Sequence, residues 1–336
     1  MTTAVDGRRR RQSDSGRRQY RRAFSLPLGR HVRRDAVRGY YLDFAEKTEH
    51  PHWPPPWFPW PGFHRFMAIS QWGLGAYERH LDGQGPQWLA SAVAAAEYLV
   101  EEQTHTGRHA GAWFEPEDYP HTFDVRGPWL SAMAQGQCAS LLVRAHAETM
   151  DARFADAARR ALGPMEIATH DGGVQATLDG HPFPEEYPTN PPAFVLNGAI
   201  FALWGYYDVW KGLGDDEAGA LFEDRVGMLT ANIYRWDTGY WSRYDLFPHP
   251  IINVASPAYH RLHIRQLEVL AELAENPHLL AFAARFESYA ASRRCRTLAL
   301  AMKVAFRLAV PRNSVVARRL PWTKASARSS TSDARS

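Results

Sequence analysis

From Phe66 onward the apolar residues of this chain recur at steps of three and four, the mark of helices with one buried face. They fall into four pairs of segments: 66–81 with 86–103, 128–150 with 151–168, 193–213 with 215–233, and 259–277 with 278–292. In each pair a helix rich in small and apolar residues leads through a short polar turn to a second helix with charges on its outer face. Pro86 and Pro128 stand near the predicted helix starts, where a missing N–H costs little. The repeat comes roughly every 60 to 70 residues, too long for a tetratricopeptide array at ~34. The surplus lies between the pairs, in 104–126, 170–191 and 235–257, and these connectors carry Trp, Tyr, His and Pro. The pattern predicts an all-α fold over residues 39–310: helical hairpins curving into an α/α toroid, an incomplete barrel with long aromatic loops at one end. An open solenoid of the same hairpins is the alternative.

Two stretches stand outside this pattern. Residues 51–63, PHWPPPWFPWPGF, alternate proline with Trp and Phe, so they form neither a helix nor a central strand. They are expected to wrap across the body with their rings inserted, a polyproline ligand for a partner being the rarer reading. Residues 297–310, TLALAMKVAFRLAV, carry Lys303 and Arg307 four apart. This reads as a basic amphipathic helix packed on the body at the end of the domain, with a membrane-surface or partner-facing helix as the alternative. No segment reaches the ~20 apolar residues of a spanning helix. No export signal is visible either, which sets a cytoplasmic expectation.

Charge divides the chain more sharply than its net +3 suggests. Residues 1–38 hold 12 Arg against 3 acids and residues 292–336 hold 11 Lys and Arg against 1 acid, leaving 16 basic and 32 acidic residues between them. Blocks of like charge at chain ends read as solvated tails, here 1–38 and 311–336. They leave peripheral contact with an anionic surface open, as composition leaves a homodimer open; no nucleic-acid partner is expected. Cys138 and Cys295 are too few for a disulfide framework or a Cys-based zinc site, and both are expected reduced and buried.

Candidate chemistry concentrates in EEYPTNPPAFVLNG, residues 185–198. Proline fixes φ and keeps its predecessor extended, which places Tyr187 on a stiff Pro188–Pro192 loop with a helix beginning near Phe194 behind it. A helix-entry loop with ordinary surface charge is the plainer reading. The chain has no Walker loop, GxSxG or GxGxxG, which removes the usual nucleotide and acyl-transfer readings. His260 and His263 have a metal-ligand spacing but no third ligand, so neither metal nor cofactor is expected. Gln135 and Gln137, two apart on a helix, point to different sides, while Ala132, Ala134, Gly136 and Ala139 read as close helix packing. Trp113 and Trp129 suit either stacking on sugar rings or a core.

Four segments taken together carry a resemblance: PWLSAMAQGQ (128–137), EEYPTNPPAFVLNG (185–198), YDL (244–246) and YHRLHIRQL (259–267). In order and spacing, over roughly 110–292, they resemble the C-terminal domain of D-glucuronyl C5-epimerases. Those enzymes convert glucuronate to iduronate within heparan-type chains. The resemblance implies an α/α-barrel catalytic domain without a catalytic metal, and three essential tyrosines that fall on Tyr187, Tyr244 and Tyr259, with Glu186 in the same site. There are departures. The chain reads YDLFPHP where the family usually continues YDLRH, so Phe247 replaces an arginine expected to meet the substrate carboxylate. The β-rich N-terminal domain and membrane anchor of animal members are not expected here.

C5 of a uronate is α to a carboxylate and only weakly acidic. Inverting it needs a base on one face, an acid on the other and neutralisation of the carboxylate. Tyrosine suits both proton roles, but with an unperturbed pKa of ~10 a tyrosine base must be tuned down by nearby cations. The candidate substrate contacts are Glu186, Asn197, Arg243, His260, His263, Arg265 and Trp129, with Arg261 a further cation. Tyr187 and Tyr259 are expected to face each other across the sugar, Tyr244 assisting. The expected function is C5 epimerisation of D-glucuronate to L-iduronate in a heparosan-like polysaccharide. A uronate polysaccharide lyase and a non-catalytic glycan-binding domain are the alternatives. A body rich in acids would repel a heavily sulfated chain, so the expected partner is an unsulfated or lightly charged uronate glycan.

Overall fold

Each predicted hairpin is present in the computed structural model, which describes residues 27–32, 37–58, 64–120 and 122–311. The pairs are α1 (Arg65–Leu81) with α2 (Pro86–Glu102), α3 (Ala132–Thr149) with α4 (Ala152–Arg160), α5 (Leu196–Leu213) with α6 (Asp216–Asn232), and α7 (Pro257–Leu273) with α8 (Pro277–Ala291). A further helix, α9 (Arg293–Ala309), packs on α8. The chain is mostly helical, as its periodicity predicts. α1 packs on α3, α3 on α5 and α5 on α7, so the first helices of the pairs form a continuous row. Ser131, Asp215, Ser256, Asn276 and Ser292 cap helix N-termini, each accepting a backbone N–H through a side-chain oxygen.

The closest helix approach in this row is between α3 and α5. A Cβ on Gly205 would lie 2.4 Å from the Gly136 Cα, and one on Gly136 would lie 2.7 Å from the Ala202 Cα. The two backbones touch, so neither helix can give way locally. Gly136→Ala is therefore expected to destabilise the fold by about 1–3 kcal/mol, more than its gain in helix propensity returns. Urea titration should show a lower midpoint at unchanged slope; an unchanged midpoint would mean that the helices can separate freely.

Residues 37–48 pack against α1, α3 and α5. Tyr40, Tyr41, Leu42 and Phe44 are buried there, with Tyr41 against Trp204 at 4.8 Å between ring centroids and the Thr48 hydroxyl donating to Trp72 O at 2.8 Å. Arg144 of α3 and Asp208 of α5 form a buried ion pair at 2.7 Å, and the Tyr41 hydroxyl donates to Asp208 at 2.5 Å.

Several local expectations need correction. Pro128 is not at a helix start: Trp129 pairs with Glu115 in an isolated bridge, and α3 begins only after Ser131. The helix expected near Phe194 begins at Leu196, because Phe194 has a left-handed φ of 52° that turns the chain first. Cys295 is only partly buried, unlike Cys138. Two connectors hold short antiparallel hairpins that helical periodicity could not announce: β1 (Tyr119–Pro120) with β2 (Asp124–Val125), and β3 (Gln175–Leu178) with β4 (His181–Pro184). In the proline-rich stretch, Trp53 packs at 5.5 Å from Phe58, Trp72 and Tyr98, while 59–63 lie outside the described residues. Most of the basic ends also lie outside them. Within 27–32, Leu28 pairs with Leu42 and Arg30 binds Asp82 at 2.5 Å. Among the described residues no helix is long and apolar enough to cross a membrane.

Candidate active site

The loop carrying Tyr187 is folded around a buried carboxylate. Glu185 is wholly buried and accepts the Phe194 N–H at 2.9 and 3.1 Å, closing the proline segment on itself. Its backbone is pinned on both sides, the N–H to Val174 O at 2.8 Å and the carbonyl to the Ala132 N–H at 2.9 Å. The YDL segment lies alongside, with Leu246 N–H to Ala193 O at 2.9 Å and Leu196 N–H to Tyr244 O at 3.3 Å. Asp245, also buried, accepts from Asn253 Nδ2 at 2.5 Å and holds the loop that returns to α7. Tyr259 occupies the first turn of α7, where Ser256 Oγ accepts its N–H.

These connections gather the three tyrosines. Tyr244 meets Tyr259 edge-on at 4.9 Å, and both lie near enough to Tyr187 to oppose its ionisation. Tyr187 stacks on Tyr119 at 4.8 Å and 13°, their hydroxyls 3.3 Å apart, with Phe123 at 5.1 Å and Trp129 at 5.9 Å. His64 Nε2 lies 3.5 Å from the Tyr187 hydroxyl.

Electrostatics assign the resting protonation states. Burial holds the Tyr187 phenol well above its ordinary range, and Glu186 with the neighbouring phenols pushes it further. Glu186 is pushed up to about 7 by burial, against hydrogen bonds from Tyr187 and from Asn197 Nδ2 at 3.3 Å. Burial lowers His64 to about 4, so it is a neutral imidazole at pH 7. Between pH 4.5 and about 7 the folded protein keeps a proton on Glu186 that the unfolded chain has released. The resulting stability is fully present below the lower pH and is lost as pH rises through the upper one, roughly 3 kcal/mol in all. Glu186→Gln should flatten the fall in urea stability over that window. A variant whose stability falls as steeply as that of wild type would show that Glu186 titrates normally.

The predicted substrate contacts separate by helix geometry. His263, four residues after Tyr259, shares its face of α7, whereas His260 and Arg265 do not. His260 lies wholly buried, stacked on Trp241 at 3.7 Å, its Nε2–H donating to Phe286 O at 2.9 Å. Its Nδ1 accepts the Ser242 N–H at 3.2 Å and the hydroxyl at 2.7 Å. Ser242 Oγ then accepts from His263 Nδ1–H at 2.9 Å. His263 Nε2 is left as a buried acceptor without a hydrogen-bond partner among the described residues, and burial keeps this ring neutral. Arg265 is bound to Glu268 at 2.8 Å on an exposed face. Asn197 holds Glu186, and Trp129 packs in the ring cluster with its Nε1–H on Glu117 O at 2.9 Å. Arg243 is half-buried, its pKa lowered by desolvation. Trp113 belongs to the core, donating to Leu99 O at 2.8 Å.

Three residues at the site, Tyr119, Phe123 and His64, were not singled out from the sequence. They sit in or beside aromatic connectors whose composition was the only signal. Lys303 of α9 donates to Asn253 Oδ1 and Val254 O, both at 2.7 Å, with its ammonium 5.9 Å from the Tyr244 ring centre. Arg307, one turn on, donates to Thr122 Oγ1 at 3.0 Å. Phe247 packs on Phe123 at 5.6 Å and His249 at 4.7 Å.

Buried phenols, a carboxyl titrating near neutrality and a neutral imidazole can donate and relay protons. They sit within a domain built of helical hairpins. Residues 107–288 match the model of the family described as D-glucuronyl C5-epimerase C-terminus, and the chain belongs to that family. It is similar to a D-glucuronyl C5-epimerase of Caenorhabditis elegans, 32% identical over 251 residues that make up 69% of this chain and 40% of the relative. An uncharacterized protein of Methanocaldococcus jannaschii is 28% identical over 199 residues, 56% of this chain and 62% of that one. The chain thus spans less than two thirds of either curated relative.

Proposed function

We propose that the chain epimerises C5 of D-glucuronate to L-iduronate within a heparosan-like polysaccharide, using tyrosines to move the proton. Family membership supports the reaction class. The observation that carries the reading is the meeting of Tyr187, Tyr244 and Tyr259, from three separate motifs, beside Glu186. Tyr187, held as a phenol by its surroundings, is the proton donor to C5, and the half-buried Tyr244–Tyr259 pair forms the base side. Glu186, hydrogen-bonded to Tyr187 and titrating near neutrality, replaces the proton that Tyr187 gives up. The faces of Trp129 and Tyr119 offer flat apolar surface for a pyranose.

Incubation with unsulfated heparosan in heavy water tests this. Deuterium should appear at C5 of both epimers by NMR. An unsaturated product absorbing in the near ultraviolet would indicate a lyase instead. Binding with neither label nor cleavage would indicate a glycan-binding domain.

A further inference from the structure

We infer that Lys303 and Arg307 of α9 recognise the uronate carboxylate, an inference that rests on the epimerase reading of the site. The helix lies beyond the stretch matched by the family model, which ends at residue 288. It is nevertheless seated at the tyrosines: Phe306 is wholly buried, with its ring 5.0 Å from His249.

The face it turns to the body is mixed, with Lys303 and Arg307 standing beside the buried Ala299 and Phe306. Leu300, Val304 and Leu308 face outward, from 52% to 79% exposed, while Lys303 and Arg307 reach inward to the body. Turning cations inward and leucines outward costs solvation on both sides. A role for positive charge at the site accounts for that cost.

The placement suits a carboxylate. Residues four apart share a helix face, so the two cations lie side by side. Lys303 stands over the Tyr244 loop. Arg307 holds Thr122, whose neighbour Phe123 packs on Tyr187. The pair therefore bridges the two walls of the tyrosine cluster. Asn253 Oδ1 and Val254 O fix the Lys303 ammonium in place over the Tyr244 loop. Of the arginines near the YDL and YHRLHI segments, Arg265 is committed to Glu268, Arg261 is exposed, and Arg243 is half-buried at a desolvation cost. As C5 loses its proton, negative charge spreads into the carboxylate, and cations at this rim stabilise it where it grows.

Calorimetry with a heparosan oligosaccharide and its carboxyl-reduced counterpart gives a readout independent of turnover. Wild type should prefer the acid by about tenfold or more, the scale of one charge-assisted hydrogen bond. Lys303→Met and Arg307→Met should each lose most of that preference while binding the reduced sugar unchanged. Lys303→Arg should keep it, and Arg294→Met, on an exposed part of the same helix, should not alter it. Arg307→Met guards against a Lys303 variant that loosens the Asn253 loop. An undiminished preference in the Lys303→Met/Arg307→Met double variant, or none in wild type, overturns the inference. Acid preference that depends on these residues, without C5 exchange, would sustain it while removing the epimerase reading.

Discussion

Tyr187→Phe and Tyr259→Phe should each lower C5 deuterium exchange by roughly 10²- to 10⁴-fold, the usual contribution of a positioned acid or base. Phenylalanine supplies the same ring, so the stack of residue 187 on Tyr119 and the edge contact of residue 259 with Tyr244 are retained. Only the proton carrier is removed. Circular dichroism and urea midpoints should stay close to wild type, separating lost chemistry from lost fold. The effect should fall on kcat more than on KM, because a hydroxyl acting in the transition state adds little to ground-state binding. Exchange near the wild-type rate in both variants would dismiss the tyrosine mechanism.

The largest effect on stability is expected from Arg144→Met. Arg144 is 1% exposed, and besides Asp208 it serves Gly39 O at 2.6 Å and Ser140 O at 2.7 Å. Removing it strands Asp208 as a buried, uncompensated carboxylate, a defect that costs about 3–5 kcal/mol. Domains of this kind are stable by only ~5–15 kcal/mol in all. Adding Asp208→Leu to the variant should recover part of the loss, since the stranded charge is then gone. The urea midpoints of the two single variants and the double form the cycle that measures this. A loss under about 1 kcal/mol in Arg144→Met would show that the 37–48 segment is held by its rings alone.

The helical pairs could be read from the chain because a three- and four-residue step reports directly which face is buried. Their starts were less visible: the segment read from 215 opens on its capping residue, but the one read from 259 misses the start at Pro257 that Ser256 caps. The tyrosines came from motifs, and their meeting depends on backbone bonds between distant loops that no periodicity encodes. His260 and His263 could have been sorted by counting from Tyr259, since only the residue four positions on shares its side of the helix. Tuning of a tyrosine by cations was expected, yet burial and acidic neighbours push Tyr187 the other way, which favours it as donor. The inward turn of Lys303 was illegible for a different reason. An amphipathic pattern shows that a helix has two faces but not which of them meets the body.

The docking of residues 37–48 also bears on how the chain is made. Tyr41 and its partner Asp208 are 167 residues apart in sequence, and Gly39 and Arg144 are 105 apart. At ~5–20 residues per second, a ribosome reaches Asp208 on the order of ten seconds or more after it has passed Tyr41. During that interval an emerged strip of two tyrosines, a leucine and a phenylalanine has no finished surface to enter. The first hairpins can assemble locally as they emerge, but the segment that leaves the ribosome first among these elements is among the last to dock.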